Sequence, residues 1–227
     1  MQLVLECSVP TAARPSPRVL AVAGMFGIGL GGDEPMQLIP PTAVDLLPGQ
    51  VVFITGPSGS GKSSLLRQLR QALAGRDDTR LRCLGDMPPL PNRPAVDCFE
   101  HLSLEQTLQV LGRAGLGDAF ALLRTPAELS EGQRYRLQLA RVMASLQPVG
   151  PAELTVVLGD EFAATLDRPT ARVTARHLAR WARRENVCLV LATSHDDLLE
   201  PLEPDVLIHK PLGEGVEIVQ RDRADRS

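Results

Sequence analysis

Gly56-Pro57-Ser58-Gly59-Ser60-Gly61-Lys62-Ser63-Ser64 fits the pattern G-x-x-x-x-G-K-[ST] of a phosphate-binding loop. A glycine-rich turn could match it by chance, so the flanks decide. Val51-Val52-Phe53-Ile54-Thr55, just before it, is a short apolar run of the kind that forms a buried strand. After it, Leu65, Leu66, Leu69 and Leu73 recur at helical spacing. Strand, loop and helix therefore follow in the order that phosphate chemistry requires. Small residues let successive backbone N–H groups turn inward as an anion nest. The following helix adds unpaired N–H groups and the positive end of its dipole. In such a loop Lys62 neutralises the β- and γ-phosphates and the Ser63 hydroxyl ligates Mg²⁺. The motif predicts nucleotide binding without naming a reaction.

The 227 residues, 44% of them hydrophobic, suffice for one large domain with a real core. A net charge of −3 gives no global basic field for nucleic acid, and 3% aromatic content argues against a base-stacking surface. Cys7, Cys83, Cys98 and Cys188 are scattered with no C-x-x-C, which speaks against a zinc site or a disulfide framework and predicts small core residues. Residues 1–10 lack the basic and apolar regions of a signal peptide, and the mildly apolar run 19–32 is too short and glycine-rich to span a bilayer. A soluble, cytoplasmic protein is expected, peripheral to a membrane only through another chain.

Working outward, residues 2–7, 18–23 and 42–46 read as apolar pieces of a small antiparallel β subdomain ahead of the loop. Residues 81–84 form a strand, and the prolines of 88–94 demand an irregular loop. Asp97 and Glu100 make a capping-box pattern for a helix over 98–112, with a shorter helical piece between 116 and 124. Leu129-Ser130-Glu131-Gly132-Gln133 precedes a helical stretch, and Ser130 with Gln133 is an S-x-x-Q capping box. Leu154-Thr155-Val156-Val157-Leu158-Gly159-Asp160-Glu161 is an apolar strand ending in two carboxylates, at the end where parallel sheets collect ligands. One carboxylate there can hold a metal's water shell and the next can act on attacking water. Residues 168–184 form a helix with Val173, Leu178 and Trp181 inward; its arginines read as a solvated face. Residues 187–192 are a strand buried on both faces, followed by Thr193-Ser194-His195. Residues 206–208 and 216–219 suggest a closing edge hairpin.

Together these segments, from about residue 18 to 219, resemble the nucleotide-binding domain of ATP-binding cassette ATPases. The phosphate loop comes first. Leu129-Ser130-Glu131-Gly132-Gln133 differs by one residue from the family's L-S-G-G-Q signature, and residues 154–161 form the second acidic motif. Ala164-Thr165-Leu166-Asp167 stands for S-A-L-D, and His195 takes the switch-histidine position. The resemblance implies an α/β phosphate-loop NTPase fold with a mainly parallel sheet in a single domain. Residues 1–50 would be its N-terminal β subdomain, 51–86 and 147–227 the core, and 87–146 a helical subdomain carrying the signature.

The resemblance also implies a head-to-tail homodimer with ATP and Mg²⁺ sandwiched between the phosphate loop of one copy and Ser130, Gly132 and Gln133 of the other. By the same resemblance Gly56, Pro57, Ser58, Gly59, Ser60, Gly61, Lys62, Ser63 and Ser64 hold the phosphates. Asp160 positions the metal, Glu161 acts on water, His195 contacts the γ-phosphate, and Asp167 signals across the dimer. Phe26 either stacks on adenine or packs in the N-terminal core.

The sequence departs from the pattern where the family places a glutamine that touches Mg²⁺ and senses the partner. Here the stretch is Gly85-Asp86-Met87-Pro88-Pro89-Leu90, with Asp86 in that place. With the proline-rich loop, this favours a stand-alone ATPase driving a cytosolic partner over the ATPase subunit of a membrane transporter. A DNA-maintenance ATPase would need long coiled-coil insertions that the sequence lacks, and a nucleoside-monophosphate kinase would leave the signature and His195 unexplained.

Overall fold

The computed structural model describes residues 1–9, 16–27, 36–146, 154–213 and 215–221. Strand β1 (Gln2–Val9) pairs antiparallel with β2 (Met36–Asp45), Gln2 lying opposite Asp45 and Leu3 opposite Val44. Between them lies helix α1 (Pro17–Met25), which corrects the reading of 18–23 as part of a β subdomain. Its start explains the difference. The Ser16 hydroxyl accepts from the Val19 N–H at 3.2 Å and Pro17 occupies the first turn, where its missing N–H costs nothing. Strand β2 begins well before residue 42 and carries Pro40 and Pro41 at the register irregularity between Leu5 and Cys7, a bulge position that tolerates proline.

The main sheet is built from β3 (Val51–Thr55), β4 (Thr79–Cys83), β5 (Leu154–Gly159), β6 (Cys188–Ala192), β7 (Val206–His209) and β8 (Glu217–Gln220). Their order across the sheet is β4-β5-β6-β3-β7-β8. All neighbours run parallel except the β7–β8 edge hairpin. Crossovers between parallel strands need long connections. Helix α2 (Lys62–Leu73) supplies the one after β3, and α6 (Arg168–Arg184) the one before β6. The β4-to-β5 connection holds α3 (Leu104–Arg113), α4 (Ala119–Leu122) and α5 (Glu131–Ser145); α7 (Leu199–Leu202) precedes β7.

Period-2 alternation divides the core between the two faces of this sheet. Val52 and Ile54 of β3 join Leu65, Leu69 and Leu73 of α2 and Leu5 and Ile39 of the N-terminal ribbon. Val51 and Phe53 join Leu137 and Ala140 of α5 and Leu178 and Trp181 of α6. Cys188 is buried in the first group, while Cys7, Cys83 and Cys98 are only half-buried.

Two helix readings are corrected. The helix expected over 98–112 begins at Leu104, after a 3-10 turn at Ala95–Cys98. The true capping box is Ser103 with Gln106: the Gln106 N–H donates to Ser103 Oγ at 3.2 Å, and the Ser103 N–H to Gln106 Oε1 at 2.9 Å. Glu100 pairs instead with Arg93. In α6, Leu178 and Trp181 are buried as expected, but Val173 is exposed. The inner stripe runs through Ala171, Thr174, Ala175 and Leu178, and Val173 lies off that 3.6-residue period.

Candidate functional site

The carboxyl ends of β3, β5 and β6 come together in register, Ile54 beside Ala192 and Gly159 beside Leu191. Ligands of parallel sheets bind at such an edge. It forms a cleft of ≈ 440 Å³ lined by Lys62, Ser63, Asp160, Glu161 and His195, with Ser58, Gly59, Gly61 and Ser64 from the loop. Residues far apart in the chain thus converge on one space.

The loop is shaped for an anion. Gly56, Gly59 and Gly61 all have positive φ, the backbone conformation that glycine adopts without strain. Gly61 is the N-cap of helix α2 and offers no side-chain cap, so the first-turn N–H groups remain available to a ligand. The Ser60 hydroxyl is buried with no hydrogen-bond partner among the described residues. Lys62 Nζ donates to the carbonyls of Gly56 and Pro57, both at 2.7 Å, which curls the loop around its own lysine. Burial pulls the Lys62 ammonium below its ordinary pKa, and the nearby Asp160, Asp196 and Glu161 carboxylates oppose that shift.

The acidic pair sits on a tightly held turn. Glu161 and Ala163 adopt left-handed backbone angles, φ 46° and 59°. Such angles strain residues that carry a Cβ, and a strained turn persists only when its surroundings fix it. The Phe162 N–H donates to the Ala192 carbonyl at 2.9 Å, and the Ala163 N–H to the Tyr135 hydroxyl at 3.1 Å. Burial pushes the Tyr135 phenol up to about 12, so it stays a neutral hydroxyl able to accept that bond.

On the other wall the Thr193 N–H donates to the Ile54 carbonyl at 3.1 Å, and the Thr55 hydroxyl bonds the Asp196 carboxylate. These bonds fix the segment bearing His195 directly to the strand that feeds the phosphate loop.

Other sequence-selected residues lie elsewhere. Ser130 caps α5 with both halves of its box formed: the Gln133 N–H donates to Ser130 Oγ at 3.2 Å, and the Ser130 N–H to Gln133 Oε1 at 2.9 Å. Gly132 packs under Leu166, where a Cβ would stand 3.0 Å from Leu166 Cδ2. None of Ser130, Gly132 and Gln133 lines the cleft of its own chain, and Ser130 is exposed. Asp86 lies in an adjoining cleft of ≈ 220 Å³ with Ser63 and Asp160. Its carboxylate is held by Arg70, whose Nη1 is 3.1 Å and Nη2 2.7 Å from the two oxygens. Phe26 follows α1 and is 74% exposed, so it is no core residue, and it does not line the cleft.

Among the described residues no group of three or more His, Cys, Asp or Glu is placed to hold a metal by itself. The Ser63 hydroxyl and Asp160 carboxylate are hard oxygen donors of the kind that suits Mg²⁺, an ion that typically takes its remaining ligands from phosphate and water.

Lys210 also supports the loop, and no motif in the sequence marks it. Its N–H donates to the Thr55 carbonyl at 2.8 Å, and its own carbonyl lies beneath Gly56. Its covered ammonium donates to the carbonyls of Pro211 and Gly213 at 3.0 and 2.5 Å. Desolvation lowers its pKa. The one available signal was a lysine directly after a strand that neighbours the phosphate-loop strand.

No helix among the described residues is long and apolar enough to cross a membrane.

The family described as ABC transporter matches residues 41–150. The thiamine import ATP-binding protein ThiQ of Salmonella choleraesuis (strain SC-B67) is 34% identical over 172 residues, covering 65% of this chain and 70% of that protein. The lipoprotein-releasing system ATP-binding protein LolD 2 of Caulobacter vibrioides is 27% identical over 216 residues, covering 81% of this chain and 91% of that protein. Among solved structures, a dimeric bacterial ABC transporter cassette superposes with a TM-score of 0.64 at 18% identity, covering 98% of this chain and 100% of that one. A cassette bound to ADP and Pi in a post-hydrolysis dimer gives 0.61 at 20% identity, covering 84% and 94%. Phosphate loop, paired carboxylates and histidine at one sheet edge agree with these likenesses: the chain belongs to the ATP-binding cassette ATPases, which bind and hydrolyse ATP.

Proposed function

We propose that the cleft hydrolyses Mg-ATP, that a second copy of the chain completes it, and that closure of the pair drives a protein partner. The observation that carries this reading is the split between two groups of residues. Lys62, Asp160, Glu161 and His195 line one cleft, whereas the capped start of α5 at Ser130 is exposed and outside it. An uncapped α2 and an exposed α5 N-terminus are both suited to phosphate, and two copies arranged head to tail bring one of each to every nucleotide.

The roles follow from the side chains. Lys62 and the loop N–H groups neutralise the β- and γ-phosphates. Ser63 and Asp160 hold Mg²⁺, which supplies charge neutralisation at the transferring phosphoryl group when bound. Glu161 accepts the proton of the attacking water, and its place on a fixed turn holds it in one orientation. His195 donates to the charge that builds on the γ-phosphoryl oxygens. Phe26, exposed at the end of α1, is our candidate for contact with adenine. Asp86, which shares the adjoining cleft with Ser63 and Asp160, would offer a further carboxylate toward Mg²⁺. Residues 87–146 act as the arm that carries the signature and meets the partner. Asp167, which caps α6 beside that arm, transmits closure between copies.

A second reading specifies the partner as a membrane-spanning subunit, with this chain peripheral to the membrane. The chain's relatives among import and lipoprotein-releasing ATP-binding proteins favour it. Glu161→Gln tests the shared reading. General-base loss is worth about 10²–10⁴-fold, so turnover is expected to fall by at least about a hundredfold with ATP affinity retained. Wild-type turnover in that variant removes Glu161 from the chemistry. Capture of the same variant with ATP, against candidate cytosolic and membrane subunits, separates the two partner classes.

A further inference from the structure

The helix that follows the acidic turn also grips the histidine segment. Arg168 and Arg172 lie one turn apart at the start of α6 and project from the same side. Both reach Asp197, two residues beyond His195, in the 3-10 turn Asp196–Leu198. Arg168 Nε donates to Asp197 Oδ2 at 3.0 Å while its Nη2 donates to Oδ1, a bidentate pair. Arg172 Nη1 donates to the Asp197 carbonyl at 2.7 Å, and its Nη2 to Glu200 Oε2 at 2.5 Å. Asp197 is thus held through both side chain and main chain. We propose that Arg168 and Arg172, acting through Asp197, are positioning residues that set His195 relative to Glu161.

The covalent path supports this. Asp160 and Glu161 begin the turn that ends at Asp167, the N-cap of α6, and Arg168 is the first helical residue. His195 follows β6 on the adjacent strand. The clamp therefore closes a short loop from the acidic pair, through the start of α6, to the histidine. On its other side the histidine segment is fixed to β3 by the Thr193-to-Ile54 and Thr55-to-Asp196 bonds. Side chains that are 38% and 42% exposed contribute little to stability as an ion pair. Their value lies in geometry, because a small misplacement of a group that meets the transition state costs far more in rate than in folding. The hydrogen bonds from Arg168 hold the Asp197 carboxyl below the usual carboxylate range, so the clamp stays charged under neutral conditions.

The inference rests on the reading of His195 and Glu161 as hydrolytic residues. Steady-state ATP hydrolysis by the full chain is measured for Asp197→Asn and Arg168→Gln, alone and in a His195→Ala background. Each is expected to lower kcat by about tenfold with the KM for ATP unchanged, and to cause no further loss once His195 is gone. A second readout is the His195 ring Cε1–H resonance, assigned by its loss in His195→Ala. It should move in both clamp variants while those of His101 and His177 stay in place. Wild-type kcat, an equal loss in the His195→Ala background, or an unmoved His195 resonance overturns the clamp. Wild-type hydrolysis by His195→Ala and Glu161→Gln themselves would instead overturn the reading of the site.

Discussion

A Cβ on Gly56 would stand 2.1 Å from the Lys210 carbonyl oxygen, whereas one on Gly59 would meet nothing within 4 Å. Both positions have positive φ, so alanine pays backbone strain of about 1–3 kcal/mol at either. Only Gly56→Ala adds an overpacking cost of about 1–3 kcal/mol. Denaturant midpoints should therefore fall much further for Gly56→Ala than for Gly59→Ala, and equal midpoints would contradict the close approach. Tyr135→Phe removes the acceptor of the Ala163 N–H and should cost about 1–3 kcal/mol by the same measurement, because that donor is left unsatisfied. At this scale the sequence was legible wherever chemistry is local. Lys62, Ser63, Asp160 and Glu161 sit in short motifs, and the fold brings all four to one cleft. Lys210 and Tyr135 were not legible, because each acts through a contact between segments distant in the chain, and no local pattern encodes such a contact.

The elements divide in the same way. Strands β3, β5 and β6 are apolar runs buried on both faces, and the buried leucines of α2 keep a clean helical period, so their types follow from pattern alone. Helix α1 was misread because its apolar run is short and uninformative; Ser16 and Pro17 settle its type. The start of α3 was misread because two capping patterns stand within a few residues of each other. Ser103 with Gln106 forms the box, while Arg93 captures Glu100. Ser103→Ala should therefore destabilise the protein by about 1 kcal/mol, and Asp97→Ala should leave the denaturation midpoint near wild type. The reverse order would return the helix start to residue 98. Ser130→Ala should cost a similar amount without nucleotide, since its capping box forms within the single chain.

For the whole molecule, titratable groups bracket the range of greatest stability. Asp197 is held below the usual carboxylate range by Arg168, Glu200 by Arg172, and Asp167 by the Thr170 N–H. Their contribution is present above the unfolded carboxylate values, near pH 4, and is lost as pH falls through the lower folded ones. Burial pushes Tyr135 and Cys188 up to about 12. Their contribution is present below the unfolded values, about pH 10 and 8.5, and is lost as pH rises toward 12. Melting temperature against pH should show both limbs, and Cys188→Ala should shallow the alkaline one. The arrangement of motifs around one sheet edge was legible through the family resemblance. The enclosure of a nucleotide by two chains is a property of the pair, and it is the claim on which the account of function stands. Sedimentation of Glu161→Gln with and without Mg-ATP tests it most directly. A monomer that doubles in mass when ATP is added is expected, and no doubling when Ser130→Arg is introduced into the same chain. A Glu161→Gln protein that binds ATP and remains a monomer would contradict it.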